Sequence, residues 1–367
     1  MNISLQSQDY ISQVTSVGLF PDQSSFTLEE DLVIDNDKIE SGSYYLVIKV
    51  YDGSTYSSAY QAVTVNGIKR VFQNLLVISQ PNILKSLVSA LDTNMNVSNW
   101  FNIAYSYVDS DISSKHQQLY FISPLPSKLF TYDLETKELD WEFAAGPPYP
   151  DFEDIYYNQD IIYLASQNGN LFGLNSSGNN QYVTPIIQNR VPEKIFRHYY
   201  YIITGQSKRN NLERWITLNY YATGILAQEA LSNIKVVEFF SRNSNEVFVF
   251  GNENNQGKIL IYDLTANQFS EVIAVPSGII NAVIKIDQEN YLVAHEAAIY
   301  LYNTVGQTLS IYMPVMNVKL LTYEELSKTL YVVSDKHVKI YDYTNTGLIN
   351  IVTFDYSIVG ILLHYNR

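Results

Sequence analysis

The chain has no cysteine among its 367 residues, which excludes disulfide frameworks, thiolate metal sites and thiol nucleophiles and leaves the redox compartment undetermined. Charge is also scarce. Only 16% of residues are charged, 23 basic against 37 acidic, for a net charge of −14. An acidic chain without a basic cluster is a poor match for nucleic acid, whose binding rests on neutralising phosphates. No apolar run approaches the roughly 18–20 residues of a membrane-spanning helix. The opening residues Met1 to Tyr10 lack a basic start followed by an apolar stretch, so the chain as written reads as soluble. His-x-x-x-His, His-Glu-x-x-His, Gly-x-Ser-x-Gly and phosphate-loop motifs are missing, as is any helix-length segment with a 3.6-residue apolar stripe. What is present is 46% apolar residues, enough for a substantial core, and 31 tyrosines. The length suits one large domain or two ordinary ones.

A repeat organises most of the chain. Six times, a short apolar run ends in Asp or Asn and then in turn-forming residues. The anchors are Asp133, Asn175, Asn219, Asp263, Asn303 and Asp342, spaced 42, 44, 44, 40 and 39 residues apart. An Asp or Asn side-chain oxygen accepts bonds from backbone N–H groups two residues on and so reverses a strand. The residues that follow, Ser176-Ser177-Gly178-Asn179, Thr304-Val305-Gly306 and Thr344-Asn345-Thr346-Gly347, offer Gly or Asn for a turn with positive φ. A return strand follows, such as Gln268 to Val272 or Thr308 to Tyr312.

Upstream of each anchor lies a second run rich in β-branched and aromatic residues: Leu119 to Ser123, Ile161 to Ser166, Tyr200 to Gly205, Val247 to Gly251, Tyr291 to Ala294 and Leu330 to Ser334. A third run precedes it, as in Lys235 to Phe240, Ile279 to Ile286 or Val318 to Tyr323. Four short antiparallel strands in each period of about 40–45 residues are the signature of a β-propeller blade.

The count of blades follows from the ends. Asp92 lies 41 residues before Asp133, with Asn74 to Ser79 and Leu87 to Thr93 as second and third strands and Asn96 to Trp100 as a fourth. The missing first strand is Ser357 to Leu363, which has no partners after it. The expectation is an all-β, seven-bladed propeller over residues 68–367, closed by its C-terminal strand so that no sheet edge is left open.

Residues 1–67 fall outside the period. Ser43 to Tyr51, the turn Asp52-Gly53 and Ala59 to Val65 read as two long strands of a small N-terminal β-sandwich-like domain, with Asn66-Gly67 as the boundary. The pattern of a Gly-Ser-Tyr-Tyr strand, an Asp-Gly turn and a closing Val-Thr-Val strand resembles the end of immunoglobulin-like modules of bacterial surface proteins. Such a module takes about 100 residues, so this one is either small or incomplete, with a leader and earlier strands removed.

The run Leu129-Phe130-Thr131-Tyr132-Asp133-Leu134-Glu135-Thr136 through Trp141 resembles the repeat of quinoprotein-type (PQQ-like) propellers, and Ile162 to Asn175 is similar to the part before it. The resemblance covers two blades well and the other five in outline. It implies architecture. True quinone enzymes of that family hold their cofactor and Ca²⁺ over the channel, often beside adjacent cysteines, and this chain has none. The Gly-His and Trp-Asp pairs of WD-repeat propellers are absent as well.

Few residues present themselves for chemistry. His116, His198, His295, His337 and His364 are scattered, and His295-Glu296 ends a second strand where it can approach a channel mouth. Asp35-Asn36-Asp37-Lys38-Ile39-Glu40 offers alternate oxygens but lacks the Gly and the distal Glu of a Ca²⁺ loop, and reads as a solvated turn. Asp151, Glu153, Asp154 and Asp160 crowd one blade, where they can bind a cation or simply keep a surface soluble. The tyrosine pairs Tyr156-Tyr157, Tyr199-Tyr200-Tyr201 and Tyr220-Tyr221 place rings on both sides of strands. Most pack between blades, and the remainder can form an aromatic floor for a sugar or peptide.

No catalytic or metal-ligating residue is assigned, no cofactor is implied, and the residues of a binding face are left open. The expectation is a non-catalytic binding or scaffold protein that uses a propeller face to recognise a protein or glycan outside the cytoplasm, periplasmic or at the cell surface, with no nucleic acid partner. The alternative is an enzyme on the same scaffold, a polysaccharide lyase or hydrolase or a degenerate quinoprotein dehydrogenase, with Arg197, Arg209 and Arg214 near its channel mouth. That alternative rests on fold analogy.

Overall fold

The computed structural model describes residues 2–7, 13–18, 42–51, 55–65, 70–147, 150–158, 160–184, 189–208 and 213–366. The chain divides into two compact units, one of residues 1–71 with 366–367 and one of residues 72–365. In the first, the described residues form one antiparallel sheet in the order Gln13–Gly18, Asn2–Ser7, Gly42–Tyr51, Tyr56–Val65. The last two strands pair from Tyr51↔Tyr56 to Gly42↔Val65, and Asp52-Gly53 lie outside the described residues. Asp35 to Glu40 lie outside the described residues.

The second unit is a ring of seven four-stranded antiparallel sheets. Its first blade is completed as the sequence predicts: Ile358–Tyr365 is its innermost strand and pairs with Phe72–Asn82, which continues to Lys85–Asp92 and Val97–Ile103. The innermost strands of the other blades are Asp109–Ser113, Phe152–Asn158, Arg190–His198, Lys235–Asn243, Ile280–Lys285 and Leu320–Glu324. Each touches the next around the circle, and Ile358–Tyr365 touches both the seventh and the second blade.

Packing between blades explains why second strands read as unbroken apolar runs. In Leu75-Leu76-Val77-Ile78 every side chain is fully buried. Leu75 and Val77 face Tyr331, Val333 and Ile340 of the seventh blade, while Leu76 and Ile78 face Leu119, Phe121 and Phe130 of the second. Alternation thus serves two neighbours rather than one core and solvent. Burying such a side chain stabilises the fold by about 1.5–3 kcal/mol.

The anchors and their turns do what their chemistry predicts, with two revisions. Asp133 Oδ1 accepts the N–H groups of Glu135 and Thr136 at 2.9 and 2.7 Å, and Asp92, Asn175, Asp263, Asn303 and Asp342 accept equivalent bonds. Asn219 instead donates Nδ2–H to the Gly224 carbonyl at 2.9 Å. Gly178 has the expected positive φ, but in the last two blades the left-handed residues are Gln307 and Thr346 rather than Gly306 and Gly347. The anchor oxygen accepts from the first N–H groups of the turn, and the left-handed residue falls four positions after Asp133, Asp263, Asn303 and Asp342.

Candidate functional site

The channel and one end of the propeller concentrate the polar and aromatic groups that packing leaves over. The innermost strand of a blade has an edge with no strand beside it, so its N–H groups need other partners. Carboxylates of the preceding blade supply them. Asp109 Oδ2 accepts from Ile155 N at 3.3 Å, Asp111 Oδ2 from Tyr157 N at 2.6 Å, and Asp154 Oδ2 from Ile195 N at 2.7 Å.

One register position, aligned through the pairing of first and second strands, holds Asp109, Asp154, Lys194 and Glu238 in the second to fifth blades, then Ala282, Leu320 and Gly360 in the sixth, seventh and first. The channel therefore has a charged half and an apolar half. Asp109, Glu238, Ala282, Leu320 and Gly360 line a cavity of about 280 Å³ at its centre. The Lys194 ammonium lies 3.2 Å from Glu238 and 3.9 Å from Asp154. Burial opposes its charge, but Glu238 and Asp154 outweigh burial and hold its pKa well above the usual lysine value. Burial raises the Asp154 carboxyl far above the ordinary range, Lys194 partly offsetting this and Asp109 adding to it. Burial likewise pushes Asp111 up to about 7.

The acidic residues grouped by sequence separate in space. Asp154 stands near the start of strand Phe152–Asn158, while Asp160 lies beyond its end and binds Lys115 Nζ at 2.6 Å, His116 Nε2 at 2.9 Å and Tyr157 Oη at 3.0 Å. Burial opposes its ionisation, but these bonds prevail and hold its pKa down at about 2. Glu153 accepts a bond from Gln167 Nε2. His295 is fully buried rather than open at a mouth, its Nδ1 accepting Ala297 N at 3.2 Å. His198 and His364 are also buried, bound to Ser241 at 2.7 Å and to Gln117 at 2.7 Å. These rings join neighbouring blades. Among the described residues, no group of three or more His, Asp or Glu side chains is arranged to hold a metal ion, and no helix is long and apolar enough to cross a membrane.

Tyrosines sort as expected between packing and display. Tyr120, Tyr163, Tyr262, Tyr291 and Tyr302 are fully buried. In contrast, the first and third turns of the fourth blade bring exposed rings together: Tyr199 (49% exposed), Tyr200 (71%) and Tyr220 (45%). Tyr221 N donates to the Tyr200 carbonyl at 3.0 Å and ties the two turns. Arg197 supports the patch from beneath. Its Nε donates to the Tyr199 carbonyl at 2.9 Å and its Nη1 to Tyr163 Oη at 3.1 Å, and its guanidinium lies 3.5 Å from the Tyr221 ring centre. Tyr199 itself has left-handed backbone (φ 47°), a conformation that disfavours a bulky side chain and concentrates at functional sites.

Arg197 and Arg214 do not converge. Arg214 lies at the opposite end of the fourth blade, 3.7 Å from Glu193, and Arg209 falls outside the described residues.

No family model matches the chain, and no curated protein matches it in sequence. Among solved structures it is similar to the computationally designed Ika8 protein (12% identity, TM-score 0.49, 86% of this chain and 94% of that one). It is also similar to the Dos1 propeller (13% identity, TM-score 0.54, 78% of this chain and 88% of that one). The second likeness bears out the propeller fold.

Proposed function

We propose that this is a non-catalytic binding or scaffold protein that displays the propeller end bearing Tyr199, Tyr200 and Tyr220 to a protein or glycan outside the cytoplasm. The observation that carries this reading is the exposure of Tyr199, Tyr200 and Tyr220 on two turns bonded to each other. A folded surface leaves so much aromatic area in water chiefly where a partner covers it, and Tyr offers contact area and a hydroxyl at low entropic cost. The quinoprotein-like character of the second and third blades, an immunoglobulin-like unit over residues 1–67 and a propeller over 68–367 belong to the same reading.

An enzyme would have to use the channel carboxylates. Those are already engaged, Asp109, Asp111 and Asp154 by backbone N–H groups and Glu238 by Lys194. The test is a comparison of the protein with its Tyr200→Ala, Tyr220→Ala double variant on arrayed glycans and envelope proteins. Specific retention that is lost in the variant at unchanged melting temperature supports the proposal. Turnover of a polysaccharide that disappears on Asp154→Asn would replace it.

A further inference from the structure

At the same end of the propeller, a separate pocket of about 410 Å³ opens between the fifth and sixth blades, within the range of about 300–1,000 Å³ that small-ligand sites occupy. Beneath it lie the buried rings of Phe248 and Tyr291, 3% and 1% exposed, with centres 5.6 Å apart in an edge-to-face arrangement, and the Arg242 guanidinium lies over the Phe248 ring. Its walls are Ser241, Arg242, Gln288 and Gln307.

Three features define what fits. The Gln307 amide makes no hydrogen bond among the described residues, and Gln288 engages only its Oε1, which accepts from Lys285 Nζ at 3.2 Å. Amide donors and acceptors therefore face the cavity unspent. Second, the charged residue of the wall is paired, Arg242 Nη1 lying 3.0 Å from Glu246 Oε2, and Lys285 stands behind Gln288 rather than on the lining. An acidic ligand would have to displace Glu246 and approach a protein of net charge −14. Third, the wall residue Ser241 is bonded to His198 Nδ1 at 2.7 Å, and Tyr199 follows His198 directly, so the pocket adjoins the tyrosine patch.

We infer that this pocket takes one uncharged sugar residue of a glycan whose remaining units run across Tyr199 and Tyr200. The C–H face of a pyranose packs on exposed apolar surface, here the Val305 side chain of the wall (73% exposed), while its hydroxyls, each both donor and acceptor, match neutral amides better than charges. The inference rests on the binding reading above and narrows its partner from protein or glycan to neutral glycan.

Calorimetric titration of the full chain with tetrasaccharides of glucose, galactose, mannose, xylose and N-acetylglucosamine, and with a polygalacturonate fragment as acidic control, tests it. The expected result is saturable binding of a neutral member, with Kd raised about tenfold by Gln307→Ala or Gln288→Ala, as loss of one or two hydrogen bonds predicts. Binding that Tyr200→Ala abolishes but neither glutamine variant changes would overturn the pocket and leave the tyrosine surface standing. Binding of the acidic control alone, or of none of the glycans, would overturn the sugar assignment. Melting temperatures of the exposed glutamine variants separate lost contacts from lost folding.

Discussion

Tyr365 Oη lies 3.1 Å from Glu324 Oε1 and so joins the C-terminal strand of the first blade to the end of the innermost strand of the seventh. Glu324 is fully buried, and it also accepts from the N–H groups of Leu326 and Ser327 at 3.1 and 2.7 Å. Burial opposes its ionisation, yet these bonds hold its pKa below the usual glutamate value.

Tyr365→Phe is expected to lower stability by about 1.5–3 kcal/mol, the cost of one hydrogen bond to a charged acceptor, read as a shift in urea midpoint at constant slope. Deleting residues 358–367 removes the whole innermost strand of the first blade and exposes Leu75 to Ile78 on one edge. A truncated chain that still unfolded in one cooperative transition at the parent midpoint would contradict the closure.

Lys194→Met leaves Asp154 and Glu238 without their shared cation. The expected loss is about 2 kcal/mol, below the range for a fully buried pair because the lysine is partly exposed. Adding Glu238→Gln should recover part of it, since the two side chains act as one unit. Additive losses in thermal unfolding would show that they do not.

Acid should reveal two opposed groups. Asp111, raised to about 7 by burial, binds more protons folded than unfolded between about pH 4 and 7. Its contribution is present at low pH and is lost as pH rises through 7. His364, lowered by burial to about 4, works the other way, its contribution being lost as pH falls from about 6.5 through 4. Asp111→Asn removes the first effect, so its urea midpoint should fall more steeply than the parent's from pH 7 to 4.5. Superimposable profiles would rule out the buried Asp111 titration.

Gly278→Ala should destabilise the sixth blade by about 1–3 kcal/mol, because its φ of 125° suits only glycine and an added Cβ would meet His295 Cε1 at 2.8 Å. Hydrogen exchange of the strand Asn290–His295 reads the effect; unchanged protection would argue against it.

The tyrosines show where sequence reading stops. Alternation announces that Tyr199-Tyr200-Tyr201 points rings in different directions. Exposure was decided by the tight turn after His198 and by the neighbouring third turn, which packs Tyr201 against Tyr220 with ring centres 5.4 Å apart and leaves Tyr200 in water. Likewise, Asp151 to Asp160 look like one cluster because they are near in sequence. A strand 7 residues long, advancing about 3.3 Å per residue, carries Asp154 and Asp160 to different ends of the blade.

The sequence by itself determined the architecture: the Asp and Asn anchors, the four-strand period, the seven blades and the use of the last strand to finish the first blade. The anchors and the period are local, written in turn chemistry and alternation within some 40 residues, and the closing strand follows from the blade that this count leaves one strand short. Only the tertiary structure decided which half of the channel is charged, that carboxylates cap the next blade's open N–H groups, and that Gln288 and Gln307 meet Phe248 and Tyr291 around a pocket. These arrangements join residues of different blades or of separate turns. Ring closure, which no local pattern encodes, sets the distances between them.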